Sequence, residues 1–175
     1  NVDNLVYSVM NAFYIACSSF VGQNYGAGKS RRVLKSYLLT LGYSAIAAAV
    51  LGGLFLLFGH QFLSLFTSEA DVIEAGLARI WVMCFSFPIS ALMDCTTAAS
   101  RGLGKGLVPM IFVFLGSCVF RVIWVYTVFA YFHTIRSLYM LYSFSWILTG
   151  AAEIAYFLYC YKKYVKPLDR APAAE

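Results

Sequence analysis

The sequence predicts an all-α integral membrane protein, and three observations carry that reading. Of its 175 residues 61% are hydrophobic and only 12% are charged, whereas a soluble domain is about 25% charged and 45–50% apolar. The apolar residues gather into five runs, each near or above the roughly 20 residues that a spanning helix needs. None of the runs alternates with period two, so helices are predicted rather than the strands of a barrel. A soluble fold of this length could not hide so much apolar surface, and lipid is the expected solvent.

The predicted helices cover about 5–22, 37–65, 73–99, 108–132 and 138–161, in one unit over 1–166 with a polar tail over 167–175. On the second, Ser44, Ala48 and Gly52 form one ridge of small residues, and Ala45, Ala49 and Gly53 form another. Small residues four apart let helix backbones approach closely in lipid, so both ridges are expected to pack. Pro88 falls inside the third helix, where it removes a backbone donor and is expected to kink the helix and act as a hinge. Pro109 opens the fourth, a position that tolerates proline. Trp81, Trp124, Trp146 and the tyrosines of the fifth helix suit the membrane interfaces.

Charge fixes the orientation. Lys29, Arg31, Arg32 and Lys35 follow the first run, Arg101 and Lys105 the third, and Lys162, Lys163, Lys166 and Arg170 the fifth. The opposite connections hold only Arg79 and Arg136, with the acids Glu69, Asp71 and Glu74. By the positive-inside rule the first helix runs inward and the C-terminal tail is cytoplasmic, which places the chain in the cytoplasmic membrane as a multi-pass protein. Because the cations sit in short blocks rather than along one exposed face, a nucleic-acid surface is not predicted.

Other classes are disfavoured. Cys17, Cys84, Cys95, Cys118 and Cys160 are scattered within the apolar runs, without metal-ligand spacing, and read as small packing residues. His60 and His133 have no carboxylate or cysteine at ligand spacing and read as interface anchors. No metal or organic cofactor is implied, and no nucleophile–base pair clusters at one membrane face as an enzyme would require. The chain starts at Asn1 without an initiator Met or the features of a signal peptide, the pattern expected of a fragment.

The stretch GQNYGAGKSRR, Gly22 to Arg32, contains Gly-Ala-Gly-Lys-Ser and invites a phosphate-loop reading. A Walker loop, G-x-x-x-x-G-K-[ST], requires its first glycine at position 23, where Gln23 stands. A spanning helix precedes it where a buried strand should, and no helix–strand alternation follows. Gly26 and Gly28 instead read as a helix stop, followed by a basic anchor in the headgroups.

With these residues in view, the sequence resembles the multidrug and toxic compound extrusion (MATE) family of transporters. Gly22-Gln23-Asn24-Tyr25-Gly26-Ala27-Gly28 is similar to the G-Q-x-x-G-A-G signature that ends the second helix of each six-helix lobe. ASRGLGKGLVPM, Ala99 to Met110, resembles the R-G-x-G-x-x-x-x-P link between the fourth and fifth helices. FRVIW, Phe120 to Trp124, and SFSWILTG, Ser143 to Gly150, are similar to the last two helices of the second lobe. The resemblance implies five helices making most of one six-helix lobe, helices eight to twelve of a twelve-helix, two-lobe transporter whose N-terminal lobe lies elsewhere in the same protein. It also implies a secondary active antiporter that exports drugs or organic cations against H⁺ or Na⁺ by alternating access. A flippase for lipids or lipid-linked oligosaccharides, from the wider superfamily, is the alternative.

Ionisable side chains inside the hydrocarbon are costly and are functional candidates by default. Asp94 is the candidate for cation coupling, its other reading being an ion pair with Arg121. Some members of the family carry their cation-binding acid about one turn earlier, where Ser90 stands, and Asp94 lies on nearly the same face. Arg121 reads as a charge-balancing partner. Glu153 either lines the cavity or reaches toward the cytoplasmic side. Gln23 and Asn24 either bond across helices at the gate or cap their own helix. Tyr126 and Tyr139, with Phe85, Phe87, Phe129 and Tyr142, are the aromatic candidates for a cavity that receives flat cations.

Overall fold

The computed structural model describes the backbone of residues 2–132 and 135–170, and the side chains of these except 2, 3, 5, 132, 135–139, 169 and 170. His133, the Tyr139 side chain and the tail beyond residue 170 therefore lie outside the described residues. Five rods follow one another. They are α1 (Val2–Gly26), α2 (Ser30–Ser64), α3 (Ala70–Gly102), a fourth rod beginning with α4 (Leu107–Phe114), and a fifth beginning with α7 (Ile135–Cys160). No strand occurs among the described residues.

The rods outrun the apolar stretches at most ends. α2 starts at Ser30, within the basic cluster, because helical hydrogen bonding continues where lipid stops. Among the described residues four helices are long and apolar enough to cross a membrane: α2, α3, Leu107–Phe129 and Met140–Leu168. The fifth expected helix, α1, is 25 residues long and carries the polar residues Asn11, Ser18, Ser19, Gln23 and Asn24.

Helices α1, α2 and α3 pack against one another, and α7 closes on α3. The shared core runs through Cys17 and Val21 of α1, Tyr37 and Ala48 of α2, Ala91 and Cys95 of α3, and Phe157 of α7. The first ridge of α2 is buried here, at Ser44, Ala48 and Gly52. Gly52 lies so close that an ideal Cβ would stand 3.3 Å from the Cys84 carbonyl oxygen, and the Cys84 thiol donates to the Gly52 carbonyl at 3.1 Å. Cys84 is four residues before Pro88, so its carbonyl is the one that proline deprives of a helical donor. Helix α3 nevertheless continues through Pro88 to Gly102 without a break. The second ridge does not pack as expected. Ala49 is exposed, and a Cβ at Gly53 would meet nothing within 4 Å. A helix has one face toward its neighbours, and these residues fall beside it.

The fourth rod is irregular in a way its sequence does not announce. Two π-helical turns, Leu115–Val119 and Val125–Phe129, interrupt it around α5 (Phe120–Trp124), and α6 (Ala130–Phe132) follows the second. Gly116 in the first π turn carries no side chain because Thr149 of α7 occupies that space, and Ser145 Oγ donates to the Gly116 carbonyl at 2.7 Å. The fifth rod continues past α7 through a π turn, Tyr161–Val165, and a 3-10 turn, Lys166–Arg170.

Candidate functional site

The two glycine motifs end their helices in the same way. Lys29 N–H donates to the Asn24 carbonyl at 2.9 Å and Gly28 N–H to the Tyr25 carbonyl at 3.0 Å, with Gly28 at φ 68°. At the end of α3, Lys105 N–H donates to the Ser100 carbonyl at 3.0 Å and Gly104 N–H to the Arg101 carbonyl at 2.9 Å, with Gly104 at φ 72°. Both are Schellman caps, and the left-handed residue in each is the second glycine of a G-x-G-K sequence. Gly22 and Gly102 of these motifs bring the helices together. An ideal Cβ on Gly22 would lie 3.1 Å from the Gly102 carbonyl, and one on Gly102 would run into the Ser18 carbonyl.

Of the two amides in the first motif, Asn24 crosses between helices. Its Nδ2 donates to the Phe20 carbonyl at 2.8 Å and to Ser36 Oγ of α2 at 3.2 Å. Gln23 stays on its own helix, with Nε2 donating to Ser19 Oγ at 3.2 Å.

Two cavities flank the polar face of α1. The first, about 330 Å³, lies between the N-terminal halves of α1, α3 and α7, where Tyr7, Tyr14, Phe87, Ser90, Tyr142 and Trp146 line it. Arg79 of α3 also borders it. The second, about 390 Å³, lies toward the C-terminal ends of α1 and α3 and is lined by Asn11, Tyr14, Ser18, Ser19, Ala98 and Arg101. Tyr14 is the side chain common to both.

Asp94 sits at this partition. On α3 it lies one turn past Ser90, which lines the first cavity, and one turn before Ala98, which lines the second. Ser90 Oγ donates to Asp94 Oδ2 at 3.1 Å, and Tyr14 stands beside the carboxylate from α1. The structure thus brings Ser90 and Asp94 together. It does not pair Asp94 with Arg121: among the described residues no ion pair joins them. The Arg121 guanidinium instead lies over the Tyr142 ring, 4.5 Å from its centroid, and Arg121 Nε is buried without a hydrogen bond.

The remaining candidates separate by exposure. Phe87 and Tyr142 reach the first cavity, whereas Phe85 and Tyr126, 62% and 79% exposed, face outward and do not join its lining. Trp146, assigned above to an interface, also lines that cavity and meets Tyr142 edge-on at 5.9 Å. Glu153 does not reach outward. It is completely buried in α7. Tyr14 and Arg79 escaped the sequence reading. Tyr14 is eighty positions from Asp94 and no local pattern links them, whereas Arg79 was legible as a cation close to the apolar run.

Residues 1–127 match the model of the MatE family. The chain belongs to the MatE family. Over 120 residues it is 28% identical to a protein of Idiomarina loihiensis described as a probable multidrug resistance protein NorM, an alignment covering 66% of this chain and 25% of that relative. Its fold is similar to that of a solved structure described as the inward-facing conformation of a multidrug resistance MATE family transporter of the MOP superfamily. The TM-score is 0.68 at 19% identity, over 98% of this chain and 41% of the other. The MatE chain thus spans about a quarter of the curated relative and two-fifths of the solved one. It is an all-α integral membrane protein with the fold of part of a MATE transporter.

Proposed function

We propose that this MatE chain forms most of one lobe of a secondary active multidrug efflux antiporter in the cytoplasmic membrane, with its C-terminal tail on the cytoplasmic side. A second lobe, elsewhere in the same protein, completes the central cavity. Organic cations or other small drugs leave in exchange for H⁺ or Na⁺ as the lobes rock about the site. The observation that carries this reading is the position of Asp94 between an aromatic cavity and a polar one, held by Ser90 and flanked by Tyr14.

Each part of that arrangement has a task. Tyr7, Tyr14 and Phe87 line the cavity and supply aromatic rings for a flat cation. Asp94 offers one negative charge that a drug cation and a coupling ion compete for. Inward movement of one charge releases roughly 2.3 kcal/mol per 100 mV, before any chemical gradient. Ion binding shifts the lobe between states only as far as its affinity differs between them.

Dye efflux from cells making the full-length protein tests the assignment, with wild type and Asp94→Asn compared under imposed Na⁺ or pH gradients. The variant is expected to lose gradient-driven efflux by about tenfold or more, as removal of a charged binding partner does. Undiminished efflux would sink Asp94 as the coupling residue. The second reading, a lipid or lipid-linked oligosaccharide flippase, is favoured by one observation. Arg79 borders the cavity, and Arg121 lies over one of its wall residues. Saturable movement of an anionic lipid headgroup, lost in Arg79→Gln with dye efflux absent, would establish it instead.

A further inference from the structure

Glu153 is fully buried in α7, and neither of its carboxyl oxygens has a hydrogen-bond partner. Its neighbour across the seam is Thr97 of α3, but the single Thr97 hydroxyl proton is given to the Met93 carbonyl at 3.1 Å. The two helices are in contact here. An ideal Cβ on Gly150, one turn before Glu153, would stand 3.5 Å from Met93 Cβ. On the same face of α7, Thr149 Oγ1 is likewise buried and unbonded. An ionised carboxylate dry on all sides and unpaired is among the costliest groups a protein can hold, whereas a carboxylic acid is neutral.

The groups around Glu153 leave it no counter-ion in contact. From α3, Asp94 and Arg101 act on it through space, one of each sign, and Arg101 is exposed. From α2, the Tyr37 hydroxyl is bonded to Thr96 Oγ1 at 2.9 Å. From α1, Tyr14 stands beside Asp94. From the fourth rod, Arg121 lies over Tyr142, about three turns back along α7. Along α3, Ser90, Asp94, Thr97 and Arg101 fall on one face, spaced by four, three and four. That face leads from the aromatic cavity, past Glu153, to the basic end of the helix.

We propose that Glu153 is a second proton-carrying residue of this lobe, protonated in the conformation described, which exchanges its proton with Asp94 along the Ser90–Asp94–Thr97–Arg101 face of α3 when the α3–α7 seam opens. Glu153 first gives its proton to water at the basic end, breaking its acid O–H bond and leaving a carboxylate. The O–H bond of a protonated Asp94 then breaks as one forms on a Glu153 carboxyl oxygen, so the negative charge moves to Asp94, which takes the next proton from the aromatic cavity. The assignment rests on the antiporter reading for its purpose but not for its measurement.

The test is infrared difference spectroscopy of the full-length transporter in lipid, which detects the C=O stretch of a protonated carboxyl without any transport. At neutral pH a band is expected that Glu153→Gln removes, Asp94→Asn keeps and Glu153→Asp restores at a shifted frequency. Equal bands in wild type and Glu153→Gln would overturn the proposal, and so would loss of the wild-type band on adding Na⁺ at constant pH. If the Gln variant does not fold, the shift in Glu153→Asp decides the same point. In proteoliposomes Glu153→Gln is expected to keep dye binding while moving fewer protons per dye molecule, and an unchanged ratio would also overturn it. A wild-type protein that moves no dye at all would remove the antiporter reading and leave the infrared result standing.

Discussion

Two helix contacts in this molecule treat their polar groups differently. At the basic ends of α1 and α3, Gly22 and Gly102 let the backbones touch, and the same cap closes both helices over Gly28 and Gly104. At the seam between α3 and α7, Gly150 packs against Met93 one turn from Glu153, whose carboxyl is unbonded. The first contact also leaves polar atoms unbonded, the buried hydroxyls of Ser30 and Ser100, but a hydroxyl costs far less to strand than a carboxylate. One contact is therefore a scaffold whose polar backbone is satisfied. The other holds a buried carboxyl whose surroundings favour the neutral acid over the carboxylate.

Substitutions can break that comparison or sharpen it. The largest effect is expected from Gly102→Val, because any side chain there meets the Ser18 carbonyl and the Val21 side chain. A loss of about 3 kcal/mol, the upper end for overpacking, should appear as a sharp fall in thermal stability or in the yield of monodisperse protein. An unaltered melting curve would show that the contact is not the scaffold. Gly28→Ala and Gly104→Ala should each cost about 1 kcal/mol, since both residues sit at positive φ and neither has a steric neighbour. Equal losses would show that the two caps carry the same weight. The smallest change is expected on α2. Gly53→Ala should gain up to about 1 kcal/mol from helix propensity, whereas Gly52→Ala should lose stability against Cys84. The same sign for both would mean that α2 presents a different face to α3.

Much of this architecture was readable from apolar runs and charge blocks, because lipid imposes length and composition on whatever crosses it. The glycine motifs were readable as helix stops for the same kind of reason, since few residues accept a left-handed backbone. The ridge at Ala45, Ala49 and Gly53 shows the limit. Spacing by four identifies a face but not what lies opposite, and Ala49 is exposed. The π turns at Leu115–Val119 and Val125–Phe129 left no mark in composition, because they answer to packing on α7 rather than to local propensity. Asp94 could be found as an ionisable residue in an apolar run. Its neighbour Tyr14 and the separation from Arg121 needed three dimensions.

The backbone contact of Gly22 with Gly102 also gives the molecule a fulcrum. With no side chain between them, the ends of α1 and α3 have little room to slide, so separation of the two helices becomes a tilt about that point. At 1.5 Å per residue, Ser18 lies about 6 Å up α1 from Gly22 and Tyr7 about 22 Å. A tilt of about 10° would therefore move Ser18 by about 1 Å and Tyr7 by about 4 Å. The aromatic cavity stands on the long arm of this lever and the cavity beside Arg101 on the short one, so a small rotation widens the first more than the second.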